Sequence, residues 1–304
     1  MGEIIVAAVQ TGCGEKPHDN LTHMESLVRR AASDGAHIIC LPELFERQYF
    51  CKTQRGDFLP YATTAADNPA VRAMRVLAAE LKIVIPVSFY ERAGQVLFNS
   101  LAVIDADGEV LGIYRKSHIP DGPGYQEKFY FSPGDTGFCV WPTKHATIGA
   151  AICWDQWFPE AARAMALQGA ELLLYPTAIG SEPQAPDINS AAHWHAVMCG
   201  HAGANMMPLV AANRIGCEQQ QDALGHTVKT TFYGQSFIAD QHGKIVAAAD
   251  AAESIIMASF DTAAISDERQ QWGLFRDRRP DLYGVLLSKD GGIKHAPAKF
   301  GGAR

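Results

Sequence analysis

The residues of this chain best suited to chemistry are a cysteine, a glutamate and a lysine, each just past a run that predicts a strand. Cys153 follows the apolar run 147–152 and precedes 159–167, an alanine-rich segment that predicts a helix. A thiol between a strand end and a helix start lies near the positive end of the helix dipole, which favours the thiolate. The alternative is a buried structural cysteine, because free cysteine is among the most buried residue types.

Glu43 and Lys116 have the same relation to predicted strands. Glu43 follows the apolar run 36–41, and Lys116 follows the second arm of a predicted hairpin, 99–104 and 110–114. Either residue alone has an ordinary alternative as a solvated loop charge. Cleaving an amide-like bond needs a nucleophile, a base that takes and returns its proton, and a positive group where oxyanion charge develops. Cysteine, glutamate and lysine together supply these roles.

Strands and helices alternate along the chain, which predicts an α/β fold. The helices are expected from a cap at Asp19 to Gly35 and over 67–81, 161–167, 189–204 and 262–271. Further strands are expected at 4–10, 83–90, 171–176, 208–213 and 254–260, with a second hairpin at 235–246. Two similar hairpins, each after strand–helix units, suggest a pseudo-symmetric pair of sheets packed face to face with helices outside.

We expect one domain over residues 1–304, because no linker or low-complexity segment divides the chain. The tail from about Trp272 carries Arg276, Arg278 and Arg279, which indicate either a solvated run or a subunit contact. No apolar run approaches the roughly 20 residues that span a bilayer. The amino terminus lacks the layout of a signal peptide. We therefore expect no membrane partner.

Composition narrows the class of protein further. A net charge of −7 over 304 residues argues against a nucleic-acid surface and mildly favours cationic small molecules. The seven cysteines are scattered and odd in number, without a CxxC pair, so neither a disulfide framework nor a zinc ribbon is indicated. A reducing cytoplasm is the expected compartment. Phosphate chemistry lacks support, because neither GxxxxGK[ST] nor GxGxxG follows a strand.

Three short motifs carry a resemblance to a known family. Residues 41–45, 114–118 and 151–155 resemble the Glu, Lys and Cys motifs of the nitrilase superfamily of carbon–nitrogen hydrolases, in that family's order. The resemblance extends from about Ile4 to about Leu287. It implies a four-layer α-β-β-α sandwich, homo-oligomers that stack sandwich on sandwich, and no cofactor. It also implies that Glu43, Lys116 and Cys153 are catalytic. Glu127 is then a supporting glutamate that orients the lysine.

Longer runs are similar to one branch of that superfamily, namely 115–131, 153–160, 175–183 and 272–280. The branch hydrolyses N-carbamoylputrescine to putrescine, carbon dioxide and ammonia, a step of polyamine synthesis from agmatine. From this resemblance we expect a ureido amine substrate and a thioester-like intermediate on the cysteine. The backbone N–H of Trp154 is expected to assist the lysine at the oxyanion.

A ureido amine ends in an ammonium group, which acids or aromatic faces would hold. The loops beside the catalytic motifs offer Asp121, Tyr125 and Glu182, and Asp155 is a further candidate or else a structural acid. An N-carbamoyl amino acid or N-carbamoyl-β-alanine is the alternative substrate. Relatives that act on such acids bind a carboxylate, for which an arginine soon after the cysteine is expected. Residues 154–156 here are Trp-Asp-Gln, so the amine substrate is favoured.

Two other readings compete with a cysteine hydrolase. A metal could be proposed from His193, His195 and His201, but residues two apart point to nearly opposite sides of a helix and HExxH spacing is missing, so we expect no metal. His118 beside the lysine suits a hydrogen-bonded structural role better than a second base. A non-catalytic binding protein on the same fold is the last alternative, since a fold alone does not confer activity.

Overall fold

The structure is a computed structural model that describes residues 2–183, 185 and 187–292. The chain forms a large unit, Met1–Ile265, and a small one, Ser266–Arg304. The helices are α1 Pro17–Ser33, α2 Pro69–Leu81, α3 Pro159–Leu167, α4 Ala191–Asn205 and α5 Thr262–Trp272. The strands are β1 Glu3–Gln10, β2 Ile38–Cys40, β3 Ile85–Ala93, β4 Val96–Ile104, β5 Val110–Arg115, β6 Val140–Pro142, β7 Thr147–Ala150, β8 Leu172–Pro176, β9 Leu209–Ala212, β10 Ile215–Gln221, β11 Thr227–Tyr233, β12 Phe237–Ala239, β13 Ile245–Ala248 and β14 Ser254–Asp261.

Two sheets of matching topology form the centre of the large unit. Sheet A joins the ladders β14-β1-β2 and β3-β4-β5 through a parallel bridge between Ile38 and Val84. Sheet B has the order β13-β12-β9-β8-β7-β6. In each sheet, parallel strands occupy the middle and antiparallel strands lie on both sides. The pseudo-symmetry expected from the two hairpins is confirmed.

Four layers result from the packing of these sheets. β1 and β2 of sheet A contact β8 and β9 of sheet B, so the sheets lie face to face. α1 and α2 bury apolar sides that include Met24, Val28, Met74 and Leu77 against sheet A. α3 contacts β7 and α4 contacts β9, which covers sheet B from outside. The predicted α-β-β-α sandwich is confirmed.

The helix starts follow ordinary end rules, with one correction to the sequence prediction. Lys16, and not Asp19, is the N-cap of α1; Pro17 opens the helix, and Asp19 lies in its first turn. A proline suits that place, because its missing N–H would lack an intrahelical partner anyway. Asn68 caps α2 by accepting a hydrogen bond of 2.9 Å from the Val71 N–H.

Three strands were missed by the sequence analysis, the short β6 and the two strands of the hairpin β10–β11. The hairpin alternates buried or partly buried positions with exposed Cys, Gln, Lys and Thr, so it lacks the apolar run that identified the other strands. A turn at residues 222–225 connects its two strands, and there the Asp222 carboxylate accepts a hydrogen bond from the Leu224 N–H. The hairpin matters for function because its first strand carries Glu218.

The small unit is described here up to residue 292. It contains a 3₁₀ turn, Pro280–Leu287, which exposes the apolar side chains of Leu282, Leu286 and Leu287. The expectation of one domain with a tail in a subunit contact stays a prediction. Across the described residues, no helix is long and apolar enough to cross a membrane.

Candidate active site

The predicted chemical residues come from strand ends of both sheets. In sheet A, Glu43 lies three residues past β2 and Lys116 directly follows β5. In sheet B, Cys153 lies three residues past β7. The Glu43 N–H donates to the carbonyl oxygen of Thr177, just after β8, at 3.3 Å. The loops of the two sheets are therefore joined at the edge where these residues lie.

A buried ion cluster forms around Lys116. The Lys116 Nζ donates to Glu43 Oε1 at 2.9 Å and to Glu127 Oε2 at 2.7 Å. The Tyr49 hydroxyl donates to the other Glu127 oxygen at 2.6 Å, and the Asn99 Nδ2 donates to Glu43 Oε1 at 2.7 Å. The three charged side chains are at most 1% exposed. One ammonium group thus holds two carboxylates in fixed positions, away from bulk water.

One carboxylate oxygen of this cluster is left for chemistry. Glu43 Oε2 is buried and accepts no hydrogen bond from any described residue. A buried acceptor without a partner is costly and rare. Because the same carboxyl group is anchored through its other oxygen, the free oxygen suits the transfer of a proton to and from a reacting group.

Cys153 has a left-handed backbone at the point where sheet B feeds into a 3₁₀ turn, Cys153–Trp157. Its φ of 42° is unfavourable for a residue with a Cβ and is typical of strained functional positions. The backbone N–H of Ala178 lowers the pKa of the Cys153 thiol. Trp154 is the second residue of the turn, where an N–H has no intrahelical acceptor. That N–H is available to an oxyanion beside the thiol.

Burial and pairing set the charge states in the ion cluster. Burial alone would lower the pKa of Lys116, but the carboxylates of Glu127 and Glu43 outweigh it and hold that pKa well above its usual value. Burial raises the pKa of Glu127 to about 7, although Lys116 opposes this shift and the Tyr49 hydroxyl also lowers it. Lys116 is therefore charged throughout the physiological range, whereas Glu127 titrates near neutrality.

The pKa of the Cys153 thiol is raised, and this corrects the expectation that its position favours the thiolate. Burial raises its pKa well above the usual value, the charge of Glu43 adds to the rise, and Lys116 opposes it. The cluster already contains two carboxylates and one ammonium, so a third anion is unfavourable. A short 3₁₀ turn does not reverse that balance. The thiol must lose its proton as it reacts.

A cavity of about 330 Å³ opens beside the thiol. It is lined by Pro120, Asp121, Gly122, Pro123, Tyr125, Glu127, Cys153, Trp154, Gln156, Trp157, Ala178, Ile179, Glu182, Ser190 and His193. The structure thus brings three of the four predicted substrate-binding residues to one cavity. Burial raises the pKa of Glu182, and Asp121 at the rim is exposed. The Tyr125 hydroxyl accepts from the Gly180 N–H at 3.0 Å and donates to the Ser181 carbonyl, which fixes its ring in the wall.

Asp155 is the predicted binding residue that the structure does not bring to the cavity. Its carboxylate is fully buried and accepts from the Tyr114 hydroxyl at 2.7 Å and from the Ile152 N–H at 3.1 Å. The backbone N–H of His118 and its ring Nδ1 lie 2.9 and 2.7 Å from the same group. Asp155 therefore ties the segment after β7 to the segment after β5. His118, stacked on Phe158 at 3.6 Å, has the structural surroundings expected of it.

The sequence analysis missed several residues of the site. Trp157 and His193 form an aromatic side of the cavity with their rings 4.8 Å apart. Asn99 and Tyr49 hold the two carboxylates, but neither follows a motif that would single it out. Of the three histidines considered for a metal, His195 contacts the Gln235 carbonyl and only His193 lines the cavity. Within the described chain, no group of three potential ligands could hold a metal ion.

Comparisons with known proteins agree with this geometry. The family model described as carbon-nitrogen hydrolase matches residues 5–270. A protein of Arabidopsis thaliana named N-carbamoylputrescine amidase is 58% identical, over 96% of this chain and 97% of its own. A protein of Francisella tularensis named citrullinase is 52% identical, over 95% of this chain and 100% of its own. The crystal structure of a carbon-nitrogen hydrolase from Helicobacter pylori superposes with a TM-score of 0.87 at 35% identity, covering 94% of this chain and 99% of that one.

Proposed function

This chain belongs to the carbon–nitrogen hydrolase family, and on that premise we propose that it hydrolyses N-carbamoylputrescine to putrescine, carbon dioxide and ammonia. The observation that carries the proposal is an acidic, aromatic cavity that opens onto the buried cluster of thiol, ammonium and carboxylates. The relatives from four plants that share this name, at 57–58% identity, support the same substrate.

The charge of the cavity favours an amine over an acid. Asp121 and Glu182 contribute carboxylates, and the described lining residues include neither lysine nor arginine. Tyr125, Trp154 and Trp157 add aromatic surfaces that attract an ammonium group. A ureido amine can therefore present its carbonyl to the thiol and its ammonium to the acids, whereas the carboxylate of an N-carbamoyl amino acid would meet like charge.

In the proposed first half-reaction, the Cys153 thiol gives its proton to Glu43 as sulfur attacks the ureido carbon. Two nitrogens donate electrons into that carbonyl, so the tetrahedral oxyanion needs strong stabilisation. Lys116 and the Trp154 N–H supply it, and one such donor contributes roughly 3–4 kcal/mol. Glu43 then returns the proton to the departing nitrogen, and ammonia leaves.

In the second half-reaction, water hydrolyses the thioester-like S-carbamoyl intermediate. Glu43 takes a proton from that water, which attacks the same carbon, and the proton goes to the sulfur as it departs. The product is the carbamic acid of putrescine, which loses carbon dioxide. Glu127 acts through Lys116, because its carboxylate helps hold the ammonium beside the reacting carbon.

The test is ammonia release across a panel of matched ureides, with kcat/KM measured for each. We expect N-carbamoylputrescine to exceed N-carbamoyl-β-alanine, which carries a carboxylate in place of the ammonium. N-Butylurea, which has the same chain without the amine, should retain the chemistry and lose affinity. Preference for the β-alanine derivative would overturn the substrate, and absence of turnover on the whole panel would favour a binding protein on the same fold.

Citrulline is the second candidate substrate, because the relative named citrullinase is 52% identical over 95% of this chain. Citrulline has the same ureido group, but its far end carries both an ammonium and a carboxylate. The acidic cavity accommodates the first and repels the second. Citrulline therefore belongs in the panel. A kcat/KM for citrulline above that for N-carbamoylputrescine would make citrulline the preferred substrate.

We also propose that the protein is a cytoplasmic homo-oligomer whose tail from about Trp272 takes part in a subunit contact. The exposed apolar side chains of the small unit, among them Leu282 and Leu286, support an interface there. Light scattering after size exclusion tests the assembly, and Leu282→Asp with Leu286→Asp should reduce the measured mass. The scattered, odd cysteine set supports a reducing compartment.

A further inference from the structure

A second buried charge network lies behind the candidate site and is centred on Glu218 of β10. Its carboxylate accepts from Arg214 Nη1 at 3.0 Å, from Lys52 Nζ at 2.8 Å and from the Tyr49 N–H at 2.6 Å. Each of these charged side chains is at most 3% exposed. None of them lines the cavity. Two buried cations around one buried anion are costly to assemble, so their arrangement calls for a reason.

One arm of this network ends on the backbone of Glu43. Arg214 Nε and Nη2 donate to the Glu43 carbonyl oxygen at 3.0 and 2.8 Å, and Nη2 also donates to the Leu44 carbonyl. Leu44 has a φ of 49°, a left-handed conformation that a leucine adopts only when its surroundings impose it. The guanidinium therefore fixes the turn that aims the Glu43 side chain.

The other arm ends on Glu127 through Tyr49. Glu218 holds the Tyr49 N–H, and the Lys52 ammonium donates to the Tyr49 carbonyl at 2.5 Å. The Tyr49 hydroxyl in turn donates to Glu127 at 2.6 Å. Both backbone polar groups of the tyrosine are thus fixed by the network, and its hydroxyl reaches the second carboxylate of the ion cluster.

The two arms and the ion cluster close a ring. It runs from the Glu43 backbone through Arg214, Glu218, Tyr49, Glu127 and Lys116 to the Glu43 side chain. Such a ring fixes relative positions more strictly than separate pairs, because no member can shift without disturbing its two neighbours. We propose that Glu218 is a positioning residue, which sets both carboxylates beside Lys116 through Arg214 and Tyr49.

A pH profile distinguishes positioning from simple charge. Glu127 is faced by Lys116, Tyr49, Glu43, Cys51 and Cys153. The Tyr49 hydroxyl lowers the pKa of Glu127. If Glu218 acts by holding Tyr49, Glu218→Gln weakens that hydrogen bond and moves the acid limb of reactivity to higher pH. If Glu218 acted only through space, loss of its negative charge would move the limb to lower pH.

The experiment measures alkylation of Cys153 by iodoacetamide against pH, in the full-length protein. A catalytic meaning for this positioning rests on the proposed hydrolysis. Alkylation requires no substrate, so it tests the positioning of the carboxylates separately from the hydrolysis. Protonation of Glu127 removes one of the two carboxylates that fix the Lys116 ammonium, so Glu43 is held less precisely beside the thiol and alkylation slows below the limb. Modification is located by peptide mass analysis, with Cys153→Ser as the blank.

Tyr49→Phe calibrates the measurement, because it removes only the hydroxyl that reaches Glu127. From the usual strength of a hydrogen bond to a charged group, we expect its acid limb to rise by about one pH unit. Glu218→Gln should move the limb in the same direction and lower kcat on the ureide roughly 10- to 100-fold, with KM nearly unchanged. Glu80→Gln, in an exposed pair with Arg29, is the matched control and should change neither quantity.

The double variant Lys52→Met with Glu218→Gln guards against loss of folding, because it removes one buried cation together with the anion. It still lacks a carboxylate that can hold Arg214 and Tyr49 at once, so the upward shift should persist. A folded single or double variant with an unmoved limb would reduce Glu218 to a packing role and overturn the proposal. A downward shift would overturn it as well, in favour of a through-space effect.

Discussion

The ion cluster and the cavity wall meet at Cys153 and are built by opposite means. The cluster of Glu43, Lys116 and Glu127 is buried and hydrogen-bonded on nearly every side, and Glu43 and Lys116 lie just past strands of sheet A. The wall comes from the loop 120–125, the 3₁₀ turn Cys153–Trp157, residues 178–182 and the start of α4, and its Trp154 is 41% exposed. Reaction geometry is thus assigned to rigid, dry residues, and the choice of substrate to loops that can vary without disturbing it.

The largest predicted effect removes the atom that the two regions share. Cys153→Ala should lower kcat for N-carbamoylputrescine roughly 10⁴-fold or more, as removal of a nucleophile does in other hydrolases. The measurement is ammonia release with excess enzyme. Cys139→Ala removes a thiol that does not line the described cavity and should leave turnover unchanged. Near-normal turnover of the Cys153 variant would end the proposed mechanism.

The next effect lies within the cluster. Lys116→Met should lower kcat roughly 10³-fold, because the oxyanion loses its positive partner. It should also lower the melting temperature, since breaking a buried pair leaves Glu43 and Glu127 uncompensated at a typical cost of about 3–5 kcal/mol. Lys128→Met, on an exposed lysine of the 3₁₀ turn Glu127–Phe129, is the control for charge. A Lys116 variant that changed KM alone would mean that this residue binds the substrate and does not stabilise the oxyanion.

The third prediction concerns the pH dependence of kcat/KM. The pKa of Glu127 is raised to about 7, and its carboxylate is the form that holds Lys116. Activity should therefore be about half of its maximum near pH 7, approach the maximum about one pH unit higher and fall at lower pH. Glu127→Gln, which cannot ionise, should lower kcat roughly 100-fold and abolish this limb. An unchanged limb in that variant would assign the titration to another group.

Three residues of the site could be predicted from sequence because they follow apolar runs, whereas Glu127 was expected only from the family resemblance. Glu43 and Lys116 lie just past strands of sheet A and Cys153 just past a strand of sheet B, and the two packed sheets bring these strand ends to a common edge. The fold followed from the same signal, since the apolar periods identified helices such as α2 and the central strands. The hairpin β10–β11 lacks that signal and was missed, and Glu218 was missed with it.

The wall could be predicted only in part, because loop residues acquire neighbours from distant segments. Glu182 and Tyr125 stood out by chemical type, but nothing in the sequence separated them from Asp155, whose carboxylate is saturated by buried donors. Trp157 and His193 are 36 positions apart, and their pairing depends on the fold of α4 against the 3₁₀ turn. The thiol charge was mispredicted because a local dipole argument omits two nearby carboxylates.

A smaller effect is predicted for the wall, and it should appear in KM. Glu182 is half-buried, and burial raises the pKa of its carboxyl group. Because water solvates this carboxylate only in part, a substrate ammonium beside it supplies the missing stabilisation. Glu182→Gln should raise KM for N-carbamoylputrescine roughly 10- to 30-fold, with kcat within about threefold. For N-butylurea, which lacks the ammonium, the same change should alter KM little. An equal loss on both compounds would mean that Glu182 holds the loop and does not read the charge.

The smallest predicted effect belongs to Asp121, and it tests whether the cavity wall is more exposed to solvent than the ion cluster. Its side chain is exposed at the cavity rim, where water and salt screen an ion pair, so Asp121→Asn should raise KM only about two- to fivefold. That rise should shrink further between 0.05 and 0.5 M NaCl, whereas the effect of Glu182→Gln should persist because its carboxylate is partly shielded from solvent. If the two substitutions instead showed equal and salt-independent effects, the cavity would close around the substrate on binding, and the wall would share the dry character of the cluster.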